Sequence, residues 1–124
     1  MKNIISGRII QGDGYGKRLG FPTANVDRRQ YSRDQLRIRF GVYAGQAVLE
    51  NGQQYRAGIV IGPADKSGLP KLEAYLLGFK GNLYGKKIEL HLNKFLRPYR
   101  VFPSESQLKQ QIAKDVQTIK QLKL

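Results

Sequence analysis

"FGVYAGQAVLENGQQYRAGIVIG", residues 40–62, places two β-rich runs on either side of Asn51-Gly52. Asn-Gly is a strong hairpin signal because both residues tolerate positive φ. Residues 40–50 and 54–62 are therefore predicted as paired antiparallel strands. The same grammar continues outward. "NIISGRIIQ" (3–11), "KLEAYLLGF" (71–79) and "KKIELHLNKFL" (86–96) read as further strands. "KGNLYG" (80–85) carries turn chemistry at Gly81-Asn82. In the last strand Ile88, Leu90 and Leu92 alternate with Lys87, Glu89, His91 and Asn93. One face is thus apolar, and the lone His91 is expected at the surface. "DRRQYSRDQLRIR" (27–39) and "PADKSGLP" (63–70) read as loops.

Only the tail reads as helix. "SESQ" (104–107) is a capping box in which Ser104 can accept from the Gln107 amide. Leu108, Ile112, Val116, Ile119 and Leu122 follow at helical spacing and form one apolar stripe, expected to pack on the core. Five or six strands with Gly/Pro turns and one terminal helix predict a small closed β-barrel, which leaves no exposed edge.

A chain of 124 residues is expected to form one domain with one real core. It contains no cysteine, which excludes disulfides, thiolate metal sites and a cysteine nucleophile. No signal peptide or membrane span is legible, so a cytoplasmic location is expected. The formal net charge is +13. Residues 1–40 and 81–124 carry nearly all of it. Such a field attracts nucleotides, nucleic acid or acidic lipid, or is simply a solvated basic surface.

"GDGYGKRLGFPTANV" (12–26) is the stretch with the most chemical content. Gly12, Gly14, Gly16 and Gly20 let the backbone bend with its N–H groups in one concavity, a shape that holds phosphate oxygens. The Walker A pattern fails, because position 11 is not glycine and Arg18 follows Lys17. The dinucleotide fingerprint fails as well, so spacing alone leaves a tight strand connection as the plainer reading. Pro22 fixes its own φ and pushes Phe21 into an extended conformation. Thr23 and Asn25, two apart, then point to the same side. Beside a phosphate their oxygens suit Mg²⁺, and Lys17 and Arg18 would supply charge. An ordinary turn hydrogen-bonded to its own backbone remains the alternative.

"GRIIQGDGYGKRLGFPTAN" resembles the signature of riboflavin kinases (flavokinases), a glycine-rich arch running into Pro-Thr-Ala-Asn. The resemblance continues, in order, through "GVYAG" (41–45), "LEAYLLGF" (72–79), "LYG" (83–85), "FLRPYRVF" (95–102) and "SESQLKQQIAKD" (104–115). It implies a six-stranded Greek-key closed β-barrel with a C-terminal α-helix over residues 1–124. It also implies transfer of the γ-phosphoryl group of ATP to the ribityl 5′-hydroxyl of riboflavin, giving FMN and ADP. Under this resemblance Thr23 and Asn25 match the metal-binding pair, for Mg²⁺ or another divalent ion. Gly12, Gly14, Gly16 and Lys17 belong to the ATP-contacting arch, and Tyr84 matches a residue beside the nucleotide. Glu73 matches the catalytic carboxylate, and Arg97, Arg100 and Phe102 match flavin-site positions. The resemblance starts at residue 7 with no room before it for an adenylyltransferase domain. FMN is therefore the expected end product, and a monomer is expected.

Some of these residues carry weight without the family. Glu73 is the one acid among Leu72, Ala74, Tyr75, Leu76 and Leu77, where desolvation is expected to tune it as a general base. The plainer alternative is a strand carboxylate paired with Lys71. "RPYRVF" interleaves arginines and aromatics that can hold a phosphate or stack on a flat ring, while Phe102 can equally anchor the helix. Three places depart from the family pattern. Tyr75 stands where histidine is usual, Gly78 replaces an aspartate, and "GPADKSGLP" replaces the usual Pro-Thr-Phe. Two rivals follow: a basic barrel that binds nucleic acid through a cationic groove with aromatics, and a flavin-binding regulator without turnover.

Overall fold

The computed structural model describes residues 4–10, 23–27, 37–64 and 70–124. Six strands, β1 (Ile4–Ile10), β2 (Ala24–Val26), β3 (Gly41–Leu49), β4 (Gln54–Ala64), β5 (Pro70–Leu76) and β6 (Lys87–Pro98), precede one helix, α1 (Glu105–Gln121). The strands close into a barrel in the order β1-β2-β5-β4-β3-β6, with every pairing antiparallel. β3, β4 and β5 follow one another and β6 returns beside β3, which is the Greek-key arrangement. The predicted architecture is present. Its shortest strand, the three-residue β2, comes from the Pro-Thr-Ala-Asn stretch.

The β3–β4 hairpin is where expected, but its turn differs. Gly52 has φ +86°, and among the described residues no residue other than glycine has positive φ. Asn51 therefore does not supply a second left-handed position. The Gly52 amide donates to the Leu49 carbonyl at 2.9 Å, and Asn51 Oδ1 accepts from the Gln53 amide at 2.9 Å. The asparagine shapes the turn through its side chain rather than through its φ.

Alternation divides the strands between two cores. Ile5, Ile9, Val26, Ile59, Ile61, Leu72, Ala74, Ile88 and Leu90 fill the barrel. Burying each large aliphatic side chain stabilises by roughly 1.5–3 kcal/mol. On the outside, Ala44 and Tyr75 are buried against Ile119 of α1, with Val60, Leu96, Ile112, Val116 and Leu122 around them. The helix stripe thus packs on the barrel as predicted. Ser104 Oγ accepts from the Gln107 amide at 3.2 Å and caps α1. At the other end, Arg56 Nη1 donates to the Ile119 carbonyl at 2.7 Å and to the Leu122 carbonyl. A guanidinium there satisfies carbonyls that the last turn leaves over. His91 lies outside the barrel and partly exposed, with its ring nitrogen 2.6 Å from Glu89. No helix among the described residues is long and apolar enough to cross a membrane.

Candidate active site

A cleft of about 240 Å³ lies between the outer barrel face, α1 and the β6–α1 connection. Its floor follows from strand register. Asn25 pairs with Glu73, Glu73 with Val60, Val60 with Val42, and Val42 with Arg97. Residues opposite one another in a ladder share a face, so a single row runs across five strands. One end is polar, the centre is two valines, and the far end is a guanidinium. Leu108 and Ile112 of α1 close the apolar side.

Glu73 stands at the polar end with a side chain 17% exposed. Leu72 and Ala74, the neighbours that suggested desolvation, point into the barrel instead. Glu73 points out to the cleft, where Lys71 Nζ lies 3.3 Å from its Oε1. The alternative reading, a pairing with Lys71, is therefore present, and the apolar strand neighbours are not the carboxylate's surroundings. Thr23 lines the same end of the cleft, and Asn25 sits directly across the β2–β5 ladder from Glu73. The Thr23 hydroxyl and the Glu73 carboxylate thus line this end, with the Asn25 amide adjoining across the ladder. These are hard oxygen donors of the kind Mg²⁺ prefers when it shares its shell with phosphates. Among the described residues no cluster of three or more His, Cys, Asp or Glu forms an all-protein metal cage.

At the far end Arg97 is held firmly. Its Nε and Nη2 donate to Asp115 of α1, the closest contact being 2.9 Å, and Asp115 is 5% exposed. Gln111 Nε2 donates to the same carboxylate at 3.0 Å. Two guanidiniums approach Phe102, with Arg100 Cζ 4.9 Å and Arg97 Cζ 5.5 Å from its ring centroid. All three candidate flavin-site residues line the cleft, and the exposed Val101 forms part of its rim.

The deep wall is Tyr75, two residues along β5 from Glu73. Its ring lies over Gly58, its partner in β4. A Cβ on Gly58 would fall 2.1 Å from Tyr75 Cζ, so only glycine admits the ring. Burial raises the phenol above its ordinary value near 10; the Asp115 carboxylate adds to this and the Arg97 guanidinium opposes it.

Of the candidate residues, Thr23, Glu73, Arg97, Arg100 and Phe102 come together in one cleft, with Asn25 adjoining through the ladder. Tyr84 does not line it. It sits 61% exposed in the turn before β6, where Asn82 Oδ1 accepts from its amide. Gly12, Gly14, Gly16 and Lys17 lie outside the described residues. Sequence reasoning missed Asp115, which is more buried than Glu73. An acid set inside the stripe Ile112–Val116–Ile119 was the signal available.

The sequence profile of the family described as "Flavokinase: Riboflavin kinase" matches residues 2–123. An Escherichia coli K12 bifunctional riboflavin kinase/FMN adenylyltransferase is 40% identical over 121 residues, 94% of this chain and 37% of that protein. A Bacillus subtilis protein named RNA-binding riboflavin kinase RibR is 36% identical over 120 residues, again 94% of this chain and 49% of that protein. The chain thus spans half or less of the length of these curated relatives. Among solved structures, riboflavin kinase from Trypanosoma brucei superposes with a TM-score of 0.64 at 21% identity, over 94% of this chain and 76% of that one. A Streptococcus pneumoniae chain described as a macrolide-efflux protein gives a TM-score of 0.84 at 24% identity, over 97% of this chain and 39% of that one. At these identities both speak for the fold. With a profile match over nearly its full length, the chain belongs to the riboflavin kinase (flavokinase) family.

Proposed function

We propose that the chain phosphorylates riboflavin at the ribityl 5′-hydroxyl, using ATP and releasing FMN and ADP. One observation carries the reading: Glu73 faces an apolar-floored cleft beside Thr23, with Arg97, Arg100 and Phe102 at the other end. The flat, largely apolar isoalloxazine lies on Val42 and Val60 toward the Phe102 end, and the ribityl chain runs toward β5. Glu73 accepts the proton of the 5′-hydroxyl as its oxygen bonds to the γ-phosphorus. The bond from that phosphorus to the β–γ bridging oxygen breaks, and ADP departs with its electron pair. Lys71 steadies the carboxylate before the hydroxyl arrives. Thr23 and Asn25 would hold the divalent ion, most simply Mg²⁺, which when bound neutralises phosphate charge. The glycine arch with Gly12, Gly14, Gly16 and Lys17 contacts ATP, and Tyr84 flanks the nucleotide. A monomer in the cytoplasm belongs to the same proposal.

Incubation with riboflavin and Mg-ATP, followed by separation of the flavins, tests it. FMN and ADP should form in equal amounts. Flavin binding without ATP consumption would point instead to a regulator that keeps the fold. A second reading, RNA binding, is favoured by the name of the Bacillus subtilis relative together with the net charge of +13. It calls for single-stranded RNA affinity that falls steeply with salt, and flat binding curves at low salt reject it.

A further inference from the structure

Lys71 and Glu73 stand two apart on the outward face of β5, and both line the cleft. Lys71 Nζ lies 3.3 Å from Glu73 Oε1 on a side chain 41% exposed, so the ammonium is open to whatever enters. Among the described residues lining the cleft, the other cations are Arg97 and Arg100. Arg97 is three ladder steps from Glu73 and already committed to Asp115, and Arg100 lies against Phe102 at that same far end. The strand beside Lys71 brings no side chain of its own. Its partner in β4 is Gly62, where a Cβ would fall 2.8 Å from Tyr99 Cε2, so the Tyr99 ring walls the cleft on that side. The chemistry at the Glu73 end creates a charge problem. Riboflavin arrives neutral, whereas the phosphate of FMN carries about −1.5 to −2 at pH 7. A carboxylate alone would repel the group whose transfer it assists. The hydroxyl oxygen that meets Glu73 becomes the oxygen bonded to phosphorus. The non-bridging phosphoryl oxygens then stand beside the lysine that touches the same carboxylate, and an ammonium has three donors with which to reach both.

We propose that Lys71 contacts the transferred phosphoryl group, its ammonium donating to the non-bridging oxygens during transfer and then to the 5′-phosphate of FMN. The proposal rests on the riboflavin reading of the cleft. Lys71 gives up no proton in the step: Glu73 takes the hydroxyl proton, the new oxygen–phosphorus bond forms, and ADP leaves with the electron pair of the broken one. The lysine offsets the charge that this exchange brings to the Glu73 end. It thereby makes the cleft distinguish the phosphorylated flavin from the neutral one.

The test is Lys71→Met, with FMN and riboflavin affinities read by flavin fluorescence quenching at low salt, without nucleotide or divalent ion. FMN should bind about 5- to 20-fold more weakly, the range of one charge-assisted hydrogen bond from a partly exposed cation. Riboflavin affinity should be unchanged, and the loss for FMN should shrink as salt is added. FMN affinity equal to wild type overturns the proposal. An equal loss for both flavins also overturns it, because a disturbed cleft would then explain both. The same substitution made on a Glu73→Gln background should still weaken FMN. No effect there overturns the contact, since the lysine would then only screen the carboxylate. Failure of the wild-type protein to quench riboflavin overturns the flavin reading and the proposal with it. That outcome is distinct from a wild type that binds both flavins and a variant that binds FMN equally well.

Discussion

Two ion pairs stand at opposite ends of the same cleft and are built differently. Arg97 meets Asp115 through two nitrogens, 2.9 Å at closest, with side chains 19% and 6% exposed. Lys71 meets Glu73 through one contact at 3.3 Å, with side chains 41% and 17% exposed. Three strand spacings of about 4.8 Å separate Glu73 from Arg97 along the row, roughly 14 Å in all. The buried fork fixes α1 on the barrel, because removing either partner strands a charge in a dry setting. The exposed single contact is weak and exchangeable, which suits the base proposed for Glu73. One pair is a brace, and the other leaves Glu73 free for the role proposed for it.

Substitution should separate the two pairs. The largest effect on stability is expected from Asp115→Ala, a loss of about 3–5 kcal/mol read by urea unfolding. A loss under about 1 kcal/mol would remove the brace. Gly58→Ala should come next, at about 1–3 kcal/mol, since its Cβ would meet the Tyr75 ring at 2.1 Å. The same melts should show that loss shrinking in a Gly58→Ala/Tyr75→Leu double variant, which has no ring to displace.

A pH effect of similar or smaller size belongs to Tyr75. The folded state holds the phenol proton, whereas the unfolded chain releases it above the ordinary value near 10. The unfolded state then binds fewer protons, so stability falls as pH rises. Between pH 10 and 11 the wild type should lose about 1 kcal/mol more than Tyr75→Phe. Parallel losses in the two proteins would show that the phenol is not held in its neutral form. The smallest effect is expected for Lys71→Met, within about 1 kcal/mol in stability. A cost like that of Asp115→Ala would erase the distinction between the two pairs.

Local signals in the sequence anticipated much of this architecture. Asn51-Gly52 announced the hairpin, Ile88-Leu90-Leu92 the inner face of β6, and Ser104 with Leu108 to Leu122 the capped helix. Thr23, Asn25, Glu73 and the Arg97–Phe102 stretch were legible because the family motif is local and ordered. What escaped depends on contacts distant in sequence. Leu72 and Ala74 flank Glu73 along the chain, yet the pleat sends them to the other side of the sheet. Asp115 finds Arg97 eighteen residues upstream, and no periodicity names that partner. Tyr75 rests on Gly58 across a strand register, which neither residue announces by itself.

Glu73 is the carboxylate proposed to take the ribityl proton. Its most direct test compares wild type and Glu73→Gln for FMN formation from riboflavin and Mg-ATP, with riboflavin affinity measured on both. Both proteins should bind riboflavin within about threefold of each other. The glutamine variant should make FMN about 10²- to 10⁴-fold more slowly, the usual contribution of a positioned base. A Glu73→Gln protein that makes FMN as fast as wild type would contradict it.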